Sequence, residues 1–279
     1  MDNMYCYLNG KILKVKDAKI SPFDLGFSRG YAITEVLRAD DGKIFLFDEH
    51  YSRLMKAVKS LRLNLKESKT EIKKIMETLM IKNKVKDAKI RLVLSAGIGK
   101  TDLDLGLDQT LFVFAEKAPV YPKEYYTKGI KVITVNFKRN LNDVKSVDYI
   151  EAIRNRKAMF KSGAHEILYI ANNKVLECST SNIFMFKKGV LITPDNGVLY
   201  GVTRGLVLKV AKKAFKIKMR EIGLEELLKA DEVFITATSK EIIPIVKIDN
   251  NIIAKGNVGE NTKKMMELFR IEKEKILKS

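Results

Sequence analysis

Four short stretches of this chain carry residue types that could do chemistry together. Lys145 lies in Val144-Lys145-Ser146-Val147-Asp148-Tyr149, where a polar loop runs into a helical pattern. Glu177 lies in Leu176-Glu177-Cys178-Ser179-Thr180-Ser181-Asn182-Ile183-Phe184, bracketed by strand-like residues. Leu199-Tyr200-Gly201-Val202-Thr203-Arg204-Gly205 opens a helix, and Phe234-Ile235-Thr236-Ala237-Thr238-Ser239-Lys240-Glu241-Ile242-Ile243-Pro244 completes the series. A lysine amine can bond covalently to a carbonyl and move a proton. A Gly-Val-Thr helix start offers backbone N–H groups and the positive end of the helix dipole to an anion. Taken singly, each stretch has an ordinary explanation: lysines are mostly solvated, and Gly-x-Thr before a helix usually serves as a cap. Their order along one chain is what distinguishes them.

Other chemistries find no support. The chain has two histidines, His50 and His165, and neither has a Cys or His partner at ligand spacing, so no metal site is expected. The same scarcity argues against Ser-His-Asp or Cys-His nucleophiles. His50, in the acidic start of a helix, reads as a surface residue. Gly26-x-x-x-Gly30 lacks the Lys-Ser/Thr ending of a phosphate loop and the strand-to-helix order of a dinucleotide fingerprint.

The elements that must position these stretches are legible from periodicity and turn signals. Strands are expected at 4–8, 11–15, 43–47, 90–96 and 110–115, with Asn9-Gly10 and Asp40-Asp41-Gly42 as turns. Helices are expected from Asp48 to Leu61 and from about Ser68 to Lys82. Ala118-Pro119-Val120-Tyr121-Pro122 opposes both helix and inner strand and marks a linker. Beyond it come a strand at 131–135, a helix from about Ser146 to Ser162-Gly163, and strands at 166–171, 174–178, 182–186 and 189–193. A helix over 203–215, strands at 231–238 and 242–248, and a terminal helix from Asn257 complete the pattern. The division expected is a small N-terminal α/β domain over 1–117, a linker over 118–124, and a larger C-terminal domain over 125–279 carrying Lys145. The fold class is α+β with short antiparallel strands.

Composition narrows the class further. A hydrophobic fraction of 46% and a charged fraction of 31% suit a globular protein able to bury a core without disulfide or metal staples. Mean hydropathy is -0.12, and no apolar run approaches the ~18 residues needed to cross a bilayer. The N-terminus lacks a basic segment leading into an apolar one, and Cys6 and Cys178 lie far apart, so a cytoplasmic location is expected. The formal net charge of +18 is unusual. It comes from 41 lysines against 11 arginines, spread along the chain without the interleaved aromatics that base stacking needs. A solvated lysine surface is expected, with no nucleic-acid or membrane partner.

In this order the four stretches resemble the fold-type IV pyridoxal-phosphate transaminases: the branched-chain and D-amino-acid aminotransferases, with aminodeoxychorismate lyase as a cousin. The resemblance covers nearly the whole chain. It implies the two-domain D-amino-acid aminotransferase-like fold, pyridoxal 5'-phosphate as cofactor, amino acids and 2-oxo acids as substrates, and a homodimer. It implies that Lys145 bonds to the cofactor aldehyde and then serves as the acid and base of a proton shift. Glu177 matches the carboxylate facing the pyridine nitrogen. Val202 and Thr203 at the helix start, with Thr238 and Arg53, match the phosphate contacts. Without the resemblance, Arg53 reads as an exposed helical arginine paired with a carboxylate. Tyr149 matches a tyrosine touching the cofactor hydroxyl, with packing as the competing reading. Thr180, Ser181 and Asn182 sit beside the ring or support Glu177, or simply form the turn.

The chain departs from the family pattern where substrate is bound. Thr34, in Tyr31-Ala32-Ile33-Thr34-Glu35, stands where an aromatic is common. Lys89-Ile90-Arg91 keeps the Arg but not the Tyr of the branched-chain Tyr-x-Arg, and Gly97-Ile98-Gly99-Lys100-Thr101 lacks the Arg-x-His of familiar D-amino-acid enzymes. Arg29-Gly30-Tyr31 with Ile90-Arg91-Leu92 is similar to a D-amino-acid transaminase subgroup in which two arginines hold the substrate carboxylate, as bidentate guanidinium forks can. Arg29, Thr34, Arg91 and Ser239 are therefore the expected substrate contacts, and Arg29 or the 97–107 loop is expected to serve a partner subunit. D-alanine or D-glutamate with pyruvate or 2-oxoglutarate ranks first, an L-branched-chain specificity second, a lyase third. A basic RNA- or surface-binding protein without activity is the rival of another class.

Overall fold

A computed structural model describes residues 3–101, 103–106 and 108–278, so Asp102 and Leu107 of the expected 97–107 loop lie outside the described residues. The chain forms two compact units, residues 1–119 with 144–148, and 120–143 with 149–279.

The first unit is a six-stranded antiparallel sheet with two long helices. Its elements are β1 (Tyr5–Leu8), β2 (Lys11–Lys14), α1 (Leu25–Arg29), β3 (Ala32–Asp40), β4 (Lys43–Ile44), α2 (Phe47–Ser60), α3 (Lys69–Lys82), β5 (Ala88–Ser95) and β6 (Thr110–Lys117). The strand order is β2-β1-β6-β5-β3-β4. Alternation along β3 sends Ile33, Leu37 and Ala39 into a core with Ile90, Leu92 and Leu94 of β5 and with Leu54, Ala57 and Val58 of α2. The expected strand over 43–47 stops at Ile44, because Leu46 takes a left-handed conformation (φ 53°) and turns the chain into α2 at Phe47.

In the second unit, α4 (Lys123–Thr127), β7 (Ile130–Asn136), α5 (Ile150–Lys161), β8 (Glu166–Ala171), β9 (Lys174–Cys178), β10 (Asn182–Lys187) and β11 (Val190–Thr193) come first. They are followed by α6 (Val202–Ala211), β12 (Lys216–Met219), α7 (Leu224–Leu228), β13 (Glu232–Ala237), β14 (Glu241–Ile248), β15 (Asn251–Ile252) and α8 (Glu260–Lys278). The strands form one mixed sheet ordered β12-β11-β10-β13-β14-β7-β8-β9, with β15 on β14. Phe184 and Phe234, paired in the β10–β13 register, stack with centroids 5.0 Å apart in full burial. Truncating either to alanine would cost about 3–5 kcal/mol.

Two expectations are corrected here. The helix expected from Ser146 begins at Ile150, and Lys145 belongs to the first unit rather than to the C-terminal domain. One interaction explains both. Residues 144–147 run along the edge of β3, bridging Ile33 to Ser146, where β4 does not reach because it pairs only with Ala39 and Asp40. A segment committed to sheet hydrogen bonds cannot also form the first turn of a helix.

Candidate active site

In the first unit, the backbone of Lys145 is fastened to β3. The Thr34 N–H donates to the Lys145 carbonyl at 2.8 Å and the Val147 N–H to the Ala32 carbonyl at 3.2 Å, while Val144 is buried in the core. Lys145 itself is half-buried and lies opposite Thr34 across this short ladder.

Beside Thr34, Glu35 is buried on the helix side of β3. Arg53 grips it with both nitrogens of one fork edge, Nε to Oε1 at 2.8 Å and Nη2 to Oε2 at 2.7 Å, and His50 Nδ1 lies 3.0 Å from Oε2. His50 and Arg53 are three residues apart on α2 and so share the face turned to β3. Burial pushes the Glu35 carboxyl up, but the Arg53 charge and the hydrogen bonds from Arg53 and His50 outweigh it and hold the pKa at about 2. Burial lowers the His50 pKa; Glu35 opposes that shift, while the charges of Arg53 and Lys145 add to it. His50 is therefore neutral near pH 7, and facing an ionised carboxylate it must carry its proton on Nδ1. The surface position expected for His50 is thus corrected: it is only 1% exposed. Arg53, its side chain 13% exposed, has the carboxylate partner anticipated for it, and that partner is Glu35.

The expected substrate residues are distributed as follows. Thr34 is buried, and its hydroxyl donates to the Leu92 carbonyl at 3.0 Å. The β3–β5 register pairs Thr34 with Val93 and Val36 with Arg91, so Thr34 and the exposed Arg91 share the sheet face opposite Glu35. Arg29 ends α1, is exposed, and donates from Nη1 to the Ser28 carbonyl at 3.1 Å. Gly97 must be glycine: its φ is +71° and an added Cβ would meet the Asp108 carbonyl oxygen at 2.0 Å.

In the second unit, Glu177 occupies the penultimate position of β9 and is buried. Arg139 Nε lies 3.1 Å from its Oε1, and the Leu199 N–H donates to its Oε2 at 3.1 Å. Arg139 also donates from Nη2 to the Ser179 carbonyl at 2.7 Å, and its guanidinium lies 5.4 Å from the centroid of Tyr149, which precedes α5. Nothing in the sequence marks Arg139 among the charges of its polar loop.

The turn after Glu177 is closed by the Cys178 N–H donating to the Ser181 carbonyl at 2.7 Å. Beneath it lies a second residue that sequence reasoning missed. Glu166, buried at the start of β8, accepts hydrogen bonds from the hydroxyls of Ser179, of Thr180 (2.8 Å) and of Ser181 (3.2 Å), and from the Lys240 ammonium. Burial pushes the Glu166 carboxyl up, yet the Lys240 charge and the surrounding donors bring it below its ordinary value.

Asn182, buried at the start of β10, links this turn to the opening of α6. Its Nδ2 donates to the Leu199 carbonyl at 2.7 Å and lies 3.4 Å from Glu177 Oε2. Gly201 caps α6 without any side-chain hydrogen bond, and a Cβ there would meet Asn182 Oδ1 at 2.1 Å. Val202 and the buried Thr203 form the first turn, whose N–H groups have no intrahelical partner. Thr238 and Ser239 lie in the β13–β14 turn, with Ser239 Oγ 3.3 Å from the Tyr121 hydroxyl. Register opposes Asn182 to Thr236, so the turns at 178–182 and 237–241 emerge at the same end of the sheet. Glu177, Thr180, Ser181, Thr203 and Thr238 are thus gathered at one end of this unit. Among the described residues, no group of three or more His, Cys, Asp or Glu could hold a metal ion, and no helix is long and apolar enough to cross a membrane.

Comparison with known proteins places this arrangement. Residues 32–248 match the family model described as amino-transferase class IV. The chain is 38% identical, over 96% of both chains, to a Methanocaldococcus jannaschii protein provisionally named a branched-chain-amino-acid aminotransferase. It is 29% identical, over 95% of both, to a D-alanine aminotransferase of Listeria monocytogenes. Its fold is similar to that of the Escherichia coli branched-chain amino acid aminotransferase, with a TM-score of 0.88 at 24% identity over 95% and 93% of the two chains. With the matched segment running from the first residue of β3, the strand that fastens Lys145, to the last residue of β14, the chain belongs to the class IV aminotransferases and is a pyridoxal-phosphate-dependent transaminase.

Proposed function

We propose that this transaminase moves the amino group of a D-amino acid, D-alanine or D-glutamate, to pyruvate or 2-oxoglutarate. The observation that carries the reading is Arg91, an exposed guanidinium on the same sheet face as Thr34, the residue opposite Lys145. A carboxylate held there by a guanidinium fork would be bound bidentately, and Thr34 occupies a position where a larger side chain would restrict the approach. Arg29 is assigned as the second arginine, serving a partner subunit in a homodimer.

The residues present fit pyridoxal phosphate. A glycine-capped helix start with no side-chain cap, with Thr203 in its first turn, is a donor set suited to a phosphate. A buried carboxylate held by a guanidinium and a backbone N–H suits a protonated ring nitrogen. We assign the phosphate to Val202, Thr203, Thr238 and Arg53, the ring flank to Thr180 and Ser181, the ring hydroxyl to Tyr149, and substrate contact to Ser239. When bound, the cofactor supplies an electron-accepting ring that stabilises negative charge at the substrate Cα. Lys145 would hold the cofactor covalently through Nζ; once the substrate amine displaces it, the freed Nζ would serve as the base and then the acid of the 1,3-proton shift that starts at the substrate Cα. Glu177 presents the negative charge that holds a proton on the ring nitrogen, and Arg139 fixes the orientation of that carboxylate.

A second reading, L-branched-chain specificity, is favoured by the provisional name of the 38%-identical relative. Steady-state rates with D-alanine and L-leucine, each with 2-oxoglutarate, separate the two. A kcat/KM at least about tenfold higher for D-alanine is expected, a difference of ~1.4 kcal/mol in transition-state binding. The opposite order would establish the second reading.

A further inference from the structure

We propose that Lys240 is a positioning residue: with Glu166 it forms a buried strut that holds the Ser179–Ser181 turn and the Thr238–Ser239 turn in the arrangement cofactor binding requires. The proposal rests on the cofactor assignments made above for Thr180, Ser181 and Thr238.

Three observations within the second unit carry it. Lys240 directly follows Ser239 and closes the turn, its N–H donating to the Ala237 carbonyl at 3.2 Å and its own carbonyl accepting from the Tyr126 hydroxyl at 3.3 Å. The backbone of this turn is therefore tied on both sides of the Lys240 Cα. The Lys240 side chain then reaches back to the other turn, bonding Glu166 and lying 2.8 Å from Thr180 Oγ1 and 3.4 Å from Ser181 Oγ. Finally, both charges are withdrawn from water: the side chains of Lys240 and Glu166 are 15% and 4% exposed.

Donor and acceptor chemistry fixes the direction of every bond. An ammonium only donates and an ionised carboxylate only accepts. Thr180 must therefore accept from Lys240 and donate its single hydroxyl proton to Glu166. Ser179 and Ser181 likewise spend their protons on Glu166. With all three hydroxyl rotors committed, one rotamer set is selected for the turn. The carboxylate gathers the donors, and the ammonium supplies the charge that makes burying the carboxylate tolerable. In the linear sequence Lys240 is one lysine among 41, with nothing to mark it as different.

A residue that only stabilised the unit would lower its melting temperature and leave cofactor affinity unchanged in the folded state. The test is titration of the purified full chain with pyridoxal phosphate, followed by the visible band, at a temperature where circular dichroism shows each variant folded. Lys240→Met is expected to raise the cofactor Kd roughly tenfold, the consequence of losing about one charge-assisted hydrogen bond of ordering. Lys240→Arg, which keeps the charge, is expected to recover most of that loss. If Lys240→Met does not fold, Glu166→Gln/Lys240→Met buries no net charge and is expected to show the same weakened binding. Wild-type affinity in the folded Met variant, or in the double variant, would overturn the proposal, as would an Arg variant no better than the Met one. A wild-type chain that acquires no cofactor band would overturn the cofactor assignments, and the proposal with them.

Discussion

Arg53 meets Glu35 edge to edge, each nitrogen of its fork on a different carboxylate oxygen, at 2.8 and 2.7 Å. The pair is buried, and the Arg53 charge keeps the carboxyl ionised against the cost of burial. Replacing Arg53 by Met strands that charge. A loss of about 3–5 kcal/mol in unfolding free energy is expected, with Arg53→Lys intermediate because it keeps the charge and loses the fork. Chemical denaturation measures this, and a loss below about 1 kcal/mol for the Met variant would show that Glu35 does not depend on Arg53.

The same cluster sets an acid limit on stability. Glu35 is held at about 2 against an ordinary 4.5, so its stabilisation is complete above the ordinary value and vanishes as pH falls through the folded one. That window is worth roughly 3 kcal/mol. His50 is also depressed, from 6.5: the unfolded chain binds this proton more readily, so acid favours unfolding from about that pH downward. Denaturant midpoints across pH should therefore be level above about 7 and fall in two stages. His50→Gln should shrink the upper stage, leaving the smaller part that comes from His165, whose pKa burial also lowers, and should leave the lower stage in place. An unchanged upper stage in that variant would assign it to another group.

Glu177→Gln tests the carboxylate on the ring nitrogen. Turnover should fall roughly a hundredfold or more, with a much smaller change in cofactor Kd, because the phosphate contacts are untouched. Equal losses in both would mean that Glu177 acts chiefly in binding.

Arg91 is exposed on its strand, so Arg91→Met should fold with near wild-type stability. KM for D-alanine and D-glutamate should rise at least about tenfold, more than kcat falls, as loss of a carboxylate fork predicts. Unchanged KM values would remove Arg91 from the substrate site.

What was legible in the sequence was what local chemistry decides. Strands 166–171 and 174–178 were readable to the residue because the turn pair Asn172-Asn173 separates two apolar runs, and both asparagines take positive φ (49° and 60°). Helix α3 was readable because Ser68 and Glu71 form a reciprocal cap. Pairings distant in sequence were not. The 144–147 stretch looked like the beginning of a helix because its partner, β3, lies a hundred residues earlier. His50 looked like a surface residue because its neighbours Asp48 and Glu49 are exposed, yet the next face of the same turn points at Glu35. Arg139, Glu166 and Lys240 went unnoticed for a related reason: a charge destined for burial has the same letter as one destined for water. The motifs around Lys145, Glu177, Gly201 and Thr238 were recognisable through their resemblance to a known family, while the side chains bracing them were not.

The most direct test of the proposed reaction is the visible spectrum of the cofactor-loaded protein as D-alanine, D-glutamate and L-leucine are added separately. The cofactor band should disappear with the D-amino acids and persist with L-leucine, and Lys145→Ala should never acquire that band. Disappearance with L-leucine alone would contradict the D-specific reading and the role given to Arg91.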